Sequence, residues 1–422
     1  MATSLKIVAL EAARLNRGDP VDGQTLSIAR TIVDDVKDRG EVALREHCAR
    51  FGDIPSSDAP LILPKDVLHD ALAKLDESDR GVLERVAERV RIFATAQRNS
   101  IRDFEMDVKG GVAGQVVAPV ERAGCYAPGG RFPLPSSVLM TAVTARAAGV
   151  EEVWVASPKP SPVTLAAAAV SGVDGFIQVG GAQAIAAMAF GVGPVPACDV
   201  IVGPGNRFVT AAKQLVTGRV RIDMLAGPSE LTVLADETAD PEIVAADLLA
   251  QAEHDPDAVP ILVSTSAELI DNVNRAIAEQ LTELPTARNA MQAMENGFAV
   301  HATTVDAAVA VCDNLAPEHL ELHVADAETI APKCRHYGAL FVGTISAEVM
   351  GDYGAGPNHT LPTAGTARHS GGLSVFDFLR IRTTLTMRTG ADAAAVADDA
   401  AKLARLEGLE AHARAALFRK KG

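Results

Sequence analysis

The fold is decided by residues 153–216, which read VWVASPKPSPVTLAAAAVSGVDGFIQVGGAQAIAAMAFGVGPVPACDVIVGPGNRFVTAAKQLV. Three runs in this stretch, VWVAS at 153–157, FIQV at 176–179 and DVIVG at 199–203, have the length and composition of buried strands. A segment of helical length and pattern follows each run. Strands that alternate with helices at this interval predict a parallel, Rossmann-like sheet.

A second alternation follows in the C-terminal half of the chain. Its predicted strands are LTVLAD at 231–236, PILVST at 260–265 and ALFVG at 339–343. Asp240 and Pro241 are typical of the cap and the first position of a helix, so a helix is predicted between the first two strands. We therefore predict an α/β fold with two incomplete Rossmann-like parallel-sheet domains and small N- and C-terminal helical extensions.

The limits of these alternations divide the chain into predicted domains. Helical spacing starts at Thr25 and returns at 82–96, before the first strand run. The predicted parts are an N-terminal arm at 1–24, a first α/β domain at 25–123 with 229–375, a second Rossmann-like domain at 124–228, and a C-terminal helical extension at 376–422.

Composition and charge exclude several classes of protein. The net charge of −15 repels nucleic acid and anionic membranes, so we expect neither as a partner. No run approaches the roughly 20 apolar residues of a membrane span, and the N-terminus does not read as a signal peptide. The five cysteines are widely spaced without a C-x-x-C pair, which fits a reducing cytoplasm and argues against a disulfide framework.

Two polar pairs could carry metal or acid–base chemistry. Gln251 and His254 lie at the end of a predicted helix and share one face, although a histidine at a helix C-terminus is also favoured by the helix dipole alone. Glu318 and His319, in a predicted loop, place a carboxylate beside an imidazole, as a two-proton reaction requires. Such a pair by itself is more often a solvated turn.

Three further motifs are weaker when each is taken alone. GDYGAGPNH at 351–359 gathers polar groups beyond a predicted strand, where sites form in α/β proteins. GPGN at 203–206 joins a strand to a helix and could face a phosphate, but a tight turn is the simpler interpretation, and the full G-x-G-x-x-G fingerprint is absent. Glu407 and His412 alone indicate only a surface helix.

Taken together, these segments resemble the histidinol dehydrogenase family over nearly the whole chain. The resemblance rests on long strings in the same order: CYAPGG at 125–130, PSSVLMTAVTARAAGV at 135–150, VGGAQAIAAMAFG at 179–191, VGPGNRFVTAAK at 202–213, DMLAGPSE at 223–230, DLLAQAEHDP at 247–256, LAPEHLEL at 315–322, GDYGAGPNHTLPTAGTAR at 351–368 and EGLEAHARA at 407–415. Chance agreement of so many ordered strings is negligible.

The resemblance implies an NAD-dependent, four-electron oxidation of L-histidinol to L-histidine through a bound aldehyde, as part of histidine biosynthesis. It implies one Zn²⁺ per subunit, held by Gln251, His254, Asp352 and His412. It implies an NAD site at Tyr126, Gln183 and Asn206. The implied substrate contacts are Ser229, Gln251, His254, His319, Asp352, His359, Glu407 and His412. It also implies a homodimer, in which His412 and Glu407 reach into the site of the partner subunit.

The same resemblance assigns the catalytic roles. His319 would be the general base of both oxidation steps, and Glu318 would activate the water that hydrates the aldehyde. The chain departs from the family at Phe190 and Phe208, where polar-tipped aromatic residues are more frequent. A hydroxyl contact to NAD is therefore in doubt, and we expect an effect on cofactor affinity at most.

Alternative functions share parts of this pattern. A related zinc and NAD dehydrogenase could act on another polar alcohol such as sulfopropanediol, but Glu407 suits an amine and not a sulfonate. A zinc hydrolase using Glu318 would not depend on NAD, and a non-catalytic relative would not need the full ligand set. A thiol mechanism would need a reactive cysteine, and nothing near Cys125 in the sequence would lower its pKa.

Overall fold

The computed structural model describes residues 3–14, 21–56, 58–129 and 133–421. Its strands are β1 (Lys6–Val8), β2 (Ile62–Leu63), β3 (Phe104–Val108), β4 (Gly111–Pro119), β5 (Arg122–Tyr126), β6 (Glu152–Ala156), β7 (Gly175–Ile177), β8 (Val200–Val202), β9 (Arg221–Ile222), β10 (Glu230–Ala235), β11 (Val259–Ser264), β12 (Phe298–His301), β13 (His319–His323), β14 (Ala339–Val342) and β15 (Leu379–Met387).

The α-helices are α1 (Gly23–Arg39), α2 (Glu41–Phe51), α3 (Lys65–Ala73), α4 (Glu77–Asn99), α5 (Pro135–Val138), α6 (Thr144–Ala148), α7 (Pro162–Ser171), α8 (Gly181–Phe190), α9 (Arg207–Val216), α10 (Pro241–His254), α11 (Ala267–Gln280), α12 (Ala287–Ala293), α13 (Val305–Leu315), α14 (Ala327–Ile330), α15 (Glu348–Asp352), α16 (Ala391–Leu406) and α17 (Glu410–Phe418). A π-helical turn at Leu139–Val143 joins α5 to α6, and short 3-10 turns lie at Leu10–Ala12, Ala331–Lys333, Thr366–Arg368, Val375–Phe378 and Arg419–Lys421.

The first sheet is parallel throughout, with strand order β1–β12–β11–β10–β13–β14. Helices α10, α11 and α12 cover one face, and α13 and α14 cover the other. Every residue of the central strands β10 and β13 is buried, as expected for a parallel sheet between two helical layers. This sheet and its helices form the second of the two predicted alternations.

The second sheet has the order β2–β7–β6–β5–β8–β9 and is parallel except at its edge, where β2 runs antiparallel to β7. Helices α1, α2, α8 and α9 pack on one face, and α3 to α7 pack on the other. The two parallel α/β sheets confirm the predicted fold class. The strands and helices expected between residues 153 and 216 are all present, with ends shifted by a residue or two.

The helices of residues 25–123 pack on the second sheet, whereas the sequence prediction grouped these residues with 229–375. Ala29, Val33 and Val36 form an apolar stripe on α1 that packs against the alanine-rich helices α8 and α9. Helix periodicity identifies such a stripe but does not say which sheet it will cover, so the grouping could not be read from the sequence.

Both termini contain strands that the sequence analysis did not predict. Within the predicted arm, β1 pairs in parallel with β12 and extends the first sheet. Within the predicted C-terminal helical extension, β15 pairs with β4 over nine residues, in a three-stranded antiparallel sheet of order β15–β4–β3. The extension then continues as the helical pair α16 and α17. In the part of the chain that the structure describes, no helix has both the length and the apolar character needed to cross a bilayer.

Candidate active site

Two segments that precede neighbouring strands meet at the amino ends of the first sheet. Because Leu231 of β10 is in register with His319 of β13, Ser229 and Glu230 lie beside Glu318. The Ser229 hydroxyl donates a hydrogen bond of 2.5 Å to Glu318 Oε2, and the Glu230 backbone N–H donates one of 3.0 Å to the same oxygen. The Glu318 carboxylate is therefore held in one orientation by two donors.

His319 is 2% exposed and is the first residue of β13. The prediction of a loop at this position is therefore wrong. Its Nδ1 lies 3.3 Å from the Glu230 carbonyl oxygen and 3.5 Å from Glu348 Oε1. Its Nε2 lies 3.5 Å from Asp352 Oδ1. Burial acts to lower the pKa of His319, but Glu348, Glu318 and Asp352 together raise it well above its ordinary value.

The two glutamates beside His319 have shifted acidities. Burial raises the pKa of Glu318, against the opposing effects of His319 and the Ser229 hydrogen bond. Burial and the nearby Glu318 raise the pKa of Glu230 to about 8. Carboxyl groups with raised pKa values can exchange protons near neutral pH, which is a common property of acid–base sites.

Candidate metal ligands converge next to this pair. His254 at the end of α10, together with Glu348 and Asp352 on α15, presents ligand atoms that all lie within 4.8 Å of one another. His254 Nε2 is 3.8 Å from Asp352 Oδ2. Burial acts to raise the pKa of Asp352, but the attraction of His319, whose Nε2 is 3.5 Å away, and of His359 and His254 outweighs this and keeps the pKa lowered, so the carboxylate remains ionised.

Gln251 lies one turn before His254 on α10 and is fully buried. Among the described residues, neither its amide oxygen nor its amide nitrogen has a hydrogen-bond partner. A buried amide without a partner costs about 1–3 kcal/mol, so a ligand is expected at this position. The mixed nitrogen and oxygen donors of Gln251, His254 and Asp352 fit a divalent zinc ion.

A cavity of about 460 Å³ between the two sheets brings most of the predicted site residues together. The predicted residues that line it are Tyr126, Asn206, Ser229, His254, Glu318, His319, Asp352 and His359. His359 is held there because its Nδ1 lies 2.9 Å from the Asp352 carbonyl oxygen. The walls of the cavity therefore combine residues at the carboxyl ends of the second sheet with residues at the amino ends of the first sheet.

An adjoining cavity of about 550 Å³ is lined by the three residues predicted for NAD, Tyr126, Gln183 and Asn206. The Tyr126 hydroxyl accepts a hydrogen bond of 3.0 Å from the Gly181 backbone N–H. The Gln183 amide donates one of 2.8 Å to Asp53 Oδ2. Asn206 caps α9 by accepting from the first free N–H groups of that helix. Each of the three side chains is thus fixed at the cavity wall.

The loop that carries Asn206 depends on a glycine and a buried ion pair. Gly203 has a φ of 115°, and a Cβ at this position would lie 2.1 Å from the Tyr126 carbonyl oxygen. Its N–H donates a hydrogen bond of 2.7 Å to Asp223 Oδ2, and its carbonyl accepts one of 3.0 Å from Lys213 Nζ. Lys213 and Asp223 also pair with each other. The backbone of this turn is therefore rigid.

Two predicted site residues lie away from these cavities. Glu407 follows the last residue of α16, and His412 is on α17. Both are exposed, and within the described residues of one chain neither lines the cavities at the sheet ends. The C-terminal extension instead leaves the body of the chain through β15, and α16 and α17 pack against each other.

Several residues of the site were missed by the sequence analysis. Glu230 and Glu348 flank His319, and Asp53 accepts hydrogen bonds from Gln183 and from the Gly180 backbone N–H. Glu230 stood inside the string DMLAGPSE, which could have marked it, but its position opposite Glu318 depends on strand register. Asp352, which the sequence analysis did identify, ends the short helix α15.

The thiol mechanism is not supported by the structure. Cys125 is buried in the second sheet, and burial raises the pKa of its thiol to about 12. All five cysteines are free and buried. A thiol with so high a pKa stays protonated near neutral pH and is a poor nucleophile.

Several known proteins that are similar to this chain over nearly its whole length come from one family. The family model described as histidinol dehydrogenase matches residues 15–420. The histidinol dehydrogenase of Pseudomonas aeruginosa is 44% identical, over 96% of this chain and 97% of its own length. That of Thermus thermophilus is 45% identical, over 94% of this chain and 95% of its own length. The crystal structure of histidinol dehydrogenase from Elizabethkingia anophelis superposes with a TM-score of 0.91 at 32% identity, covering 99% of this chain and 98% of that one.

Proposed function

The chain belongs to the histidinol dehydrogenase family, and on that premise we propose how its residues oxidise L-histidinol to L-histidine with NAD. It is an oxidoreductase of histidine biosynthesis. The observation that carries the proposed mechanism is the buried Glu318–His319 pair, in a cavity that also includes groups from the second sheet. One carboxylate and one imidazole in such a place suit a reaction that moves several protons.

His319 is the proposed general base for both oxidation steps. Its Nε2 lies 3.5 Å from Asp352 Oδ1 and, within the described residues, makes no direct hydrogen bond, so this nitrogen is available to a substrate hydroxyl. Nδ1 is anchored between the Glu230 carbonyl and Glu348, which orients the ring. The ring takes the hydroxyl proton as hydride leaves the substrate carbon.

Glu318 is the proposed base for the water that hydrates the aldehyde. Ser229 fixes its Oε2, and the buried carboxylate has a raised pKa, which makes it a stronger base than an exposed glutamate. Because the pair lies inside the cavity, an aldehyde formed at His319 stays within reach of Glu318. Retaining it there would limit the escape of a reactive intermediate.

We propose that Gln251, His254 and Asp352 hold one Zn²⁺, with His412 of the partner subunit as the fourth ligand. The unpartnered Gln251 amide and the closeness of His254 to Asp352 support this set. When bound, the zinc ion would orient the imidazole and amine of the substrate. Its positive charge would also oppose the charges of Glu348, Glu318 and Asp352 that raise the pKa of His319, which favours the neutral ring that a general base requires. Glu348 lies within the same group and is a neighbour of the ligands.

A homodimer is proposed because Glu407 and His412 are exposed on an extension that leaves the body of the chain. The extension also exposes large apolar side chains, which a second copy would cover: Ile381, Leu385, Leu403, Leu406 and Phe418. In the dimer, Glu407 would face the amine of the substrate bound by the other subunit.

NAD is proposed to bind along Tyr126, Gln183 and Asn206, where it would accept the hydride of each step. The fixed side chains and the rigid Gly203 turn offer a preformed surface at the carboxyl ends of the second sheet. Ser229 and His359 are the proposed substrate contacts from the body of the chain. A cytoplasmic location is also proposed, because five free thiols suit a reducing compartment.

The test is NADH formation from histidinol and from its aldehyde, measured separately. His319→Asn is expected to reduce both rates by at least about 100-fold, the scale of general-base catalysis, while zinc content stays unchanged. Glu318→Gln is expected to reduce mainly the aldehyde step. Glu328→Gln, on an exposed glutamate, is the matched control. If Glu318→Gln lost the alcohol step and kept the aldehyde step, the proposed roles of Glu318 and His319 would be wrong. If the enzyme preferred sulfopropanediol to histidinol, the proposed substrate would be wrong.

A further inference from the structure

Strand β13 carries a second polar group beyond the one used for catalysis. Its sequence HLELH places His319, Glu321 and His323 on one face, towards α10, while the two leucines point into the opposite core. Glu321 and His323 meet Asp247, which lies on α10 one turn before Gln251. Glu321 is 0% exposed, His323 1% and Asp247 8%.

The ligand atoms of this second group are spaced as they would be around one ion. His323 Nε2 lies 3.4 Å from Glu321 Oε2 and 3.6 Å from Asp247 Oδ2. Bonds of about 2.0–2.2 Å in a tetrahedral zinc site place neighbouring ligand atoms roughly 3.3–3.6 Å apart. These separations are longer than good hydrogen bonds and match those between metal ligands.

The atoms that point into the group lack other partners. In the described chain, Asp247 Oδ2, Glu321 Oε2 and both ring nitrogens of His323 make no hydrogen bond. The other oxygen of Glu321 accepts a hydrogen bond of 2.6 Å from the Glu348 backbone N–H, which fixes the direction of the carboxylate. The group is thus oriented, buried and unsatisfied.

Charge balance favours a cation at this place. Two neighbouring buried carboxylates are costly unless their charge is compensated. Over the residues that the structure describes, the ion-pair contacts of Asp247 and Glu321 are with His323 alone. A divalent cation with two carboxylates and a neutral imidazole would form a unit of zero net charge.

We propose that Asp247, Glu321 and His323 bind a second divalent transition-metal ion, separate from the ion proposed at His254 and Asp352. The imidazole among the donors, together with the ligand separations of 3.4 and 3.6 Å, favours Zn²⁺ over Ca²⁺ and Mg²⁺, which prefer oxygen ligands alone. Because its ligands come from α10 and β13, the ion would join the helix that carries Gln251 to the strand that carries His319. Its role is structural.

The experiment measures zinc per chain by mass spectrometry, in protein from zinc-supplemented cells after gel filtration into metal-free buffer. Glu321→Gln is the main variant, because its amide oxygen can still accept from the Glu348 N–H. It is expected to hold one equivalent less zinc than the wild type, and Glu328→Gln is expected to match the wild type. Equal zinc content in the wild type and Glu321→Gln would overturn the proposal.

Thermal unfolding gives a second readout that does not depend on how well Glu321→Gln folds. His254 is partly exposed, so His254→Ala removes a ligand of the other proposed ion with little effect on packing. Added zinc is expected to raise the Tm of His254→Ala but not that of the double variant His254→Ala with His323→Gln. A His254→Ala protein that retains no zinc and shows no rise in Tm would overturn the second site.

Discussion

Replacing Ser229 with alanine tests whether one hydrogen bond sets the basicity of Glu318. The Ser229 hydroxyl donates to Glu318 Oε2 at 2.5 Å, and the Glu230 N–H remains as a donor to this oxygen when the hydroxyl is removed. A hydrogen bond to a charged group contributes about 1.5–3 kcal/mol. Since one pKa unit corresponds to about 1.4 kcal/mol, the pKa of Glu318 is expected to rise by about one to two units in the variant.

The sign of the effect follows from the form that Glu318 needs for its proposed role. Water activation requires the ionised carboxylate, which is present above the pKa of Glu318 and is lost as the pH falls through it. Burial already raises this pKa, and Ser229→Ala raises it further. At a pH below the pKa values of both proteins, the ionised fraction and the rate of aldehyde oxidation are about 10- to 100-fold lower in the variant than in the wild type, and the difference shrinks as the pH rises towards the new pKa. At a pH above it, the variant regains the wild-type rate.

The assay is the pH profile of NADH formation, recorded with the aldehyde and with the alcohol as separate substrates. Ser137→Ala is the matched control, because Ser137 is 2% exposed and lines the same cavity. Only Ser229→Ala is expected to shift the aldehyde profile to higher pH. A loss that is equal for both substrates at every pH would show that Ser229 acts only as a substrate contact, and would refute its proposed effect on Glu318.

Three further substitutions test other parts of the structure. Folding raises the pKa of Glu230 from 4.5 to about 8, so the folded state loses about 1.4 kcal/mol of stability for each pH unit between these values as the pH rises. Glu230→Gln removes this loss. In thermal scans over this pH range, the Tm of the variant minus that of the wild type should therefore increase by about 1–2 °C per pH unit. Gly203→Ala puts a Cβ 2.1 Å from the Tyr126 carbonyl and should weaken NAD binding at least about tenfold by calorimetry, since displacing this turn costs over 1 kcal/mol. Asp53→Ala leaves the donors of Gln183 and Gly180 unpaired and should raise KM for NAD about tenfold while leaving kcat close to normal; an unchanged KM would contradict a role at the NAD site.

Several strands of each sheet could be predicted from the sequence because they depend on local patterns, whereas the central strands β5 and β13 were not predicted. The strands β6, β7 and β8 are continuous apolar runs, and the helices between them have periodic apolar faces. Strand β1 could not be predicted, because its three residues pair with β12, in which Phe298 is the partner of Lys6. A contact across so long a stretch of chain leaves no local pattern in the sequence. Strand β15 has the two-residue alternation of a strand, but the alanine-rich helix that follows it dominated the prediction.

The candidate site was only partly accessible from sequence for a similar reason. Glu318 and His319 are adjacent in the chain, so an acid–base pair was visible as a motif. Glu348 carries no local signal, and the string that contains Glu230 does not show that this residue lies beside His319. Both reach His319 only through strand register and through the path of the chain after β14. The catalytic pair also lies at the amino ends of strands β10 and β13, whereas the sites of α/β proteins usually lie at the carboxyl ends of the strands.

The polar face of β13 links catalysis to the stability of the first sheet and of the helices that cover it. A central parallel strand is normally apolar on both faces, and polar side chains on one face cost free energy unless groups on the covering helices compensate them. Helix α10 supplies Asp247, Gln251 and His254 at one-turn intervals opposite this face. Since the same contacts hold α10 against β13, removing cations from this interface is expected to loosen the first sheet and its helices while the apolar core of the second sheet stays intact.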